Sequence, residues 1–383
     1  MDFNYSEDQE EFRKRLDRFF TKEKDLSEAA NKEWDSGIGF GDACWQILKK
    51  IGEKGWLCPT WPKEYGGMGL SYIYRYIIQE KMHYYLNIYS TVGAGMAGPV
   101  IMNHGSQEQK EYFLPKIAGG QIEFALGYTE PEAGSDLASM DMQVEEKSDH
   151  FLINGQKMFN TRSHYAQYHW LGARTAKTDP GYKGISLFIV EFSTPGISLT
   201  PYYTLGGERT NGVFYDNVKV PKQALVGEQN KGFYYIIEAL AYERISTVAG
   251  LERELAHLVD LANKTGKGKD PIVRQKIAQL GIDIEAARLF AQKVAWMLDN
   301  KKIPSHEASM LKIMVSETEQ QLLNTAMQIM GPYGQLQENS KWTAMDGKFE
   351  WAYRFSVQEL IIRGTSEIMR TIIAERGLKL PRG

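Results

Sequence analysis

The segment Gly127-Tyr128-Thr129-Glu130-Pro131-Glu132-Ala133-Gly134-Ser135-Asp136 gathers groups able to hold an oxygen-rich ligand. Thr129 and Ser135 supply hydroxyls, and Gly134 lets a ligand come close to the backbone. Donors of this kind suit the edge of a flavin ring and a phosphate, although such a loop taken alone serves equally as a structural β-turn. Metal chemistry has no comparable support. The histidines form no cluster, and the only cysteines, Cys44 and Cys58, lack a second pair at metal-ligand spacing. They read as small hydrophobes in a reducing compartment. The sequence offers no strand–glycine loop–helix unit for a dinucleotide, so a nicotinamide enzyme is not expected.

Bulk properties narrow the classes further. A chain of 383 residues has room for several domains. Its formal charge of −3 implies neither a nucleic-acid footprint nor an anionic-membrane patch, so an acidic ligand must be held by local basic residues. No apolar run reaches the roughly 18 residues that span a bilayer. The opening residues carry acid and no apolar leader. A cytoplasmic protein is expected.

Periodicity divides the chain into three parts. Residues 1–120 read as a helical domain. Ser6 is a plausible helix cap, Phe12, Leu16, Phe19 and Phe20 recur at helical spacing, and helices are expected over 72–89 and 107–117. Residues 121–225 read as a compact β-domain with strands at 168–174, 185–192 and 213–220 and an Asn154-Gly155 turn pair. Residues 226–383 return to helices, over 233–264, 271–299, 305–330 and from Ser366 onward. The fold class is α+β in the order helical, β, helical.

These motifs together resemble the acyl-CoA dehydrogenase family. The Thr129–Asp136 signature is followed by Lys157-Met158-Phe159-Asn160-Thr161, Leu205-Gly206-Gly207-Glu208-Arg209, Asp216-Asn217-Val218, Gln328-Ile329-Met330-Gly331 and Gly364-Thr365-Ser366-Glu367. The resemblance spans essentially the whole chain. It implies a C-terminal four-helix bundle and FAD bound between the β-domain and the C-terminal helices, partly by a neighbouring subunit. Leu126, Tyr128 and Thr129 would meet the flavin. Ser135 would lie near both the FAD pyrophosphate and the bound thioester. Phe159 stands where the family usually has a Trp on the flavin face, and Thr161 would address the N5 edge. Gln328, Gly331, Thr365 and Glu367 match further FAD contacts.

Chemistry of this class removes an α-proton while a hydride leaves the β-carbon, so it needs a carboxylate in a dry pocket. Many relatives carry that Glu just before the C-terminal Gly-Thr. Here the position holds Arg363, which stays protonated and cannot be a base. The resemblance places the base instead at Glu243, in Ala241-Tyr242-Glu243-Arg244. Ala239, Ser246 and Gly250 would then form a small-residue helix face beside it. Arg244 would help hold coenzyme A, and the Arg363 backbone N–H would help polarise the thioester carbonyl, with Gly364 also at the substrate. The Arg363 guanidinium would either tune Glu243 or bind a second carboxylate or polar group of the acyl chain, which could be cyclic, branched or carboxylated.

Two departures bear on assembly and substrate. The stretch Asn263–Pro271 lacks the family's usual inter-subunit FAD run, leaving Arg274 and Gln279 as candidates and resembling the branch acting on ring-bearing acyl groups. Gly93, Gly95 and Gly98 fall where relatives line the acyl tail, which suggests a loop or added space. The expected partners are an acyl-CoA and electron-transfer flavoprotein, within a homotetramer or a heteromer. An acyl-CoA oxidase, a reductase and a non-catalytic partner subunit are the alternatives.

Overall fold

The computed structural model describes residues 3–37, 39–88, 91–243, 247–302 and 304–381. The N-terminal helices are α1 (Glu7–Lys22), α2 (Lys24–Asp35), α3 (Asp42–Gly52), α4 (Tyr72–Tyr85), α5 (Gly98–His104) and α6 (Gln107–Ala118). Ser6 does cap α1, in a reciprocal pair with Gln9. The apolar stripe behind it buries Leu16 and Phe20 against Ile47, Leu48, Ile51 and Ile77. Helix α4 ends earlier than its apolar pattern, at Tyr85.

The segment Gly93–Ala97 is a single wide helical turn leading into α5. Its glycines have different reasons. A Cβ on Gly98 would sit 2.1 Å from Cη2 of Trp61, whereas one on Gly95 would meet nothing within 4 Å. Only Gly95 therefore leaves space. The Gly-x-Gly-x-x-Gly spacing of residues 93–98 follows a helix rather than a strand, so it builds no dinucleotide loop.

The middle of the chain forms one sheet of seven strands: β1 (Phe124–Gly127), β2 (Gln143–Glu146), β3 (His150–Lys157), β4 (Tyr168–Arg174), β5 (Ile185–Glu191), β6 (Ile197–Tyr203) and β7 (Arg209–Pro221). Their order is β1-β4-β2-β3-β7-β6, with β5 also paired to β4. The Asn154-Gly155 pair is not a hairpin turn. It lies within β3, where the register against β7 shifts and Gly155 takes a φ of 136°, so the pair makes a bulge.

The C-terminal helices are α7 (Gly232–Glu243), α8 (Ala249–Lys264), α9 (Pro271–Asp299), α10 (His306–Met330), α11 (Lys348–Glu359) and α12 (Ser366–Ile372). Asp270 caps α9 and Pro271 opens it, the pairing that suits a first helical turn. Helices α8 to α11 enclose a common core that includes Leu258, Leu280, Ile284, Leu322 and Phe349. The expected helix over 233–264 is two helices, with Thr247 and Val248 outside both. Helix α11 had no counterpart in the sequence pattern. Among the described residues, no helix is long and apolar enough to cross a membrane.

The Gly98–Trp61 contact tests this packing. Gly98→Ala is expected to destabilise the protein by about 1–3 kcal/mol, because Trp61 must leave its rotamer. Urea denaturation measures it, and an unchanged midpoint would show that Trp61 moves freely.

Candidate active site

Two segments distant in sequence lie side by side at one end of the sheet. The first is the end of β1 with the loop after it, through Ser135. The second is the turn Met158–Thr161 that follows β3. The Met158 amide donates to the Thr129 carbonyl at 2.8 Å. Lys157, fully buried, donates to the Tyr128 carbonyl at 3.1 Å and to Glu130 Oε1 at 2.7 Å. Glu130 in turn accepts from the amides of Asp141 and Met142 at 2.6 and 3.0 Å. Burial pulls the Lys157 ammonium down to about 8, and the Glu130 carboxylate counters that pull.

A second clamp lies behind the first. His169 on β4 is fully buried, its ring beneath Gly127, where a Cβ would come within 2.2 Å of Nε2. Nε2 is 2.7 Å from Asn160 Oδ1, and Nδ1 is 2.8 Å from the Tyr215 hydroxyl. Asn160 Nδ2 donates to the Met158 carbonyl, so its Oδ1 faces the ring and Nε2 carries the proton. Burial takes His169 down to about 3, so the ring is neutral; it bonds to Asn160 of the second segment and packs beneath Gly127 of the first. Sequence reasoning missed His169, since its partners lie on other strands.

The clamps fix an outward ledge. Phe159 adopts a left-handed φ of 54° and its ring is 61% exposed, an unusual posture for a large apolar side chain. Thr161 lies on the same turn, its hydroxyl 3.2 Å from Thr210 Oγ1. Arg162, next along, ion-pairs at 2.9 Å with buried Glu123, which also accepts from the Gly93 amide and so ties the ledge to the N-terminal domain. Gly134 and Ser135 are exposed, and a Cβ on Gly134 would meet nothing within 4 Å.

The β-domain docks on α11 through the loop before β7. Arg354 donates to the Leu205 carbonyl at 2.6 Å, and Gln358 to Glu208 at 2.9 Å. The loop after α11 carries Arg363 and Gly364, both with positive φ, and then Thr365, which caps α12. Glu367 is exposed in the first turn of that helix. Arg363 ion-pairs with Glu359 one turn back. Glu319 on α10 feels both groups: burial and then the Glu359 carboxylate push it up from 4.5 to about 8, against the pull of Arg363.

Gln328 and Gly331 belong to a different place. Helix α12 meets α10 near Glu317, which pairs with Arg370 at 2.7 Å. Gln328, bonded to Lys276, lies about 16 Å farther along α10. One chain therefore does not bring Gln328 and Gly331 beside Thr365 and Glu367. Arg274 and Gln279 are exposed on α9 and bonded locally, to Gly268 and Asp283. Glu243 is the last residue of α7; its side chain, Arg244 and Ser246 lie outside the described residues. Gly250 does not open onto a ligand space, since a Cβ there would be 2.3 Å from Nε2 of His83. No metal-binding group of His, Cys, Asp or Glu occurs among the described residues.

Sequence profiles described as the N-terminal, middle and C-terminal domains of acyl-CoA dehydrogenase match residues 6–121, 125–218 and 230–378. The chain belongs to the acyl-CoA dehydrogenase family. It is 34% identical over 353 residues to acyl-CoA dehydrogenase FadE29 of Mycobacterium tuberculosis, covering 89% of this chain and 90% of that one. Among solved structures, the Tcur3481-Tcur3483 steroid ACAD matches with a TM-score of 0.91 and 32% identity over 100% of both chains. The ChsE4-ChsE5 complex from Mycobacterium tuberculosis matches at 0.87 and 29%, also over 100% of both. Members of the family are FAD-dependent flavoproteins. The residues present fit that cofactor: the exposed Phe159 ring offers an apolar face, and the open backbone at Gly134 admits a phosphate-bearing group.

Two expectations follow. His169→Phe keeps the ring volume but leaves the Asn160 and Tyr215 polar groups buried without partners. It should cost about 1–3 kcal/mol of stability and loosen the ledge. Thermal denaturation and fluorescence of released flavin read the two effects, and unchanged flavin retention would limit His169 to the core. For Glu319, the folded carboxyl keeps its proton where the unfolded chain has lost it. Its contribution to stability is full below 4.5 and is lost as pH rises toward about 8. Glu319→Gln should flatten that slope in urea denaturation across the window, and an unaltered slope would assign it to another group.

Proposed function

We propose that this chain catalyses α,β-dehydrogenation of an acyl-CoA thioester, with Glu243 as the base that takes the α-proton. FAD, when bound, supplies the acceptor for the β-hydride. Leu126, Tyr128, Thr129, Phe159 and Thr161 would hold the flavin ring, and Ser135 its pyrophosphate. The Gly364 backbone would orient the thioester carbonyl, where donors aimed at developing negative charge favour α-proton removal. Arg244 would hold the coenzyme A moiety.

The observation that carries this reading is the state of Arg363. A guanidinium occupies the position of the usual base, and its charge is engaged by Glu359. The carboxylate must therefore come from elsewhere, and Glu243 closes the helix that packs against β5 and the turn at Gly93. Electron-transfer flavoprotein is the proposed next carrier. The separation of Gln328 and Gly331 from Thr365 and Glu367 supports an oligomer in which one subunit completes its neighbour's FAD site. A homotetramer is proposed, with a heteromer as the variant. Similarity to a structure titled as a steroid enzyme supports a ring-bearing acyl group.

Replacing Glu243 by Gln removes the base and leaves the fold. Substrate-driven flavin bleaching should slow by roughly 10²–10⁴-fold while bound FAD is retained. Bleaching at the wild-type rate in the variant would rule Glu243 out.

A further inference from the structure

Arg75 is buried in α4, with 8% of its surface exposed. Among the described residues, no hydrogen bond or ion pair reaches its guanidinium. The ionisable groups that act on it electrostatically, among the described residues, are the phenols of Tyr72 and Tyr242 and the thiol of Cys58. None of them is a carboxylate, so no acidic side chain among them balances the charge. A guanidinium stays protonated even when desolvated, and an uncompensated buried cation is costly unless an anion joins it.

The guanidinium lines a cavity of about 30 Å³ formed by Trp56, Leu57, Gln79, Thr91, Gly95 and their neighbours. A space of roughly 10–15 Å³ admits one water-sized group, so this one takes a small polar head. Two further features favour an oxygen ligand. Gln79 lines the same cavity and has a buried amide oxygen with no partner; turned over, that amide offers a second donor. Gly95 on the wide turn leaves the floor open. Tyr242, whose phenol acts on Arg75, immediately precedes Glu243, so the cavity lies beside the end of α7 that carries the proposed base.

We propose that Arg75 and Gln79 form a subsite for a carboxylate at the far end of the acyl group, which makes the preferred substrate a thioester of a dicarboxylic acid. The guanidinium would take the two carboxylate oxygens side by side, a fork-to-fork geometry that lysine cannot match. This rests on the acyl-CoA reading of the neighbouring site, but concerns a residue outside its chemistry.

The test compares two saturated acyl-CoAs built on the same ring-bearing skeleton, one ending in a carboxylate and one in a methyl group, on the holoenzyme and on Arg75→Met and Arg75→Lys. Flavin reduction and equilibrium binding are both measured. The wild type should favour the carboxylated thioester on the order of 100-fold. Arg75→Met should erase the preference by losing the carboxylated ligand while sparing the other, and Arg75→Lys should keep part of it. Arg75→Met should also melt no lower than the wild type, since it removes an unbalanced charge. A wild type without preference, or a preference that survives Arg75→Met, would overturn the subsite. If neither thioester reduces the wild-type flavin, the dehydrogenase reading fails, and the binding comparison still decides the subsite.

Discussion

The candidate site depends on one constraint: two backbone segments, 126–130 and 157–161, must be clamped together by direct hydrogen bonds. Lys157 and Glu130 do this from one side and His169 from the other. A buried ion pair is poor evidence of net stability, but it is costly to break from one side. Its use here is geometric. It fixes a glycine-containing loop against a left-handed turn, so that Phe159 stands outward and Thr161 keeps its hydroxyl at a set place. The neutral imidazole bonds to Asn160 in one segment and packs against Gly127 in the other, in a space too tight for any residue but Gly at 127.

The rest of the molecule positions this ledge. Glu123 ties it to the N-terminal helices through Gly93 and Arg162. The loop at Leu205–Glu208 ties it to α11, and the turn after α11 then carries Arg363 and Thr365. Arg363 is thereby drawn into a carboxylate cluster with Glu359 and Glu319 inside the helical domain. Arg363 therefore presents no free charge there: a counter-ion lies one turn earlier on the same chain.

Much of this architecture is legible because its causes are local. The cap at Ser6 and the Asp270-Pro271 start of α9 rest on short-range hydrogen bonds and one fixed φ, which sequence displays directly. The Thr129–Asp136 and Lys157–Thr161 motifs mark the ledge only through the family resemblance, since the contacts that join them are long-range. Other features depend on distant partners. The separation of α7 from α8 is masked by apolar residues that continue a helical period across Thr247 and Val248. Asn154-Gly155 has turn chemistry, yet pairing with β7 turns it into a bulge. Arg75 belongs to no motif, and its burial becomes visible only where α4 meets Trp56, Leu57 and the turn at Gly95. Gln328 and Thr365 look like parts of one site until the length of α10 sets them apart.

The most direct test of the central claim is anaerobic flavin reduction by saturated acyl-CoAs deuterated at the α- or at the β-carbon. If the chain removes the α-proton as a hydride leaves the β-carbon, each label alone should slow reduction with a primary isotope effect. Reduction insensitive to both labels, or its absence with every saturated thioester, would contradict the account.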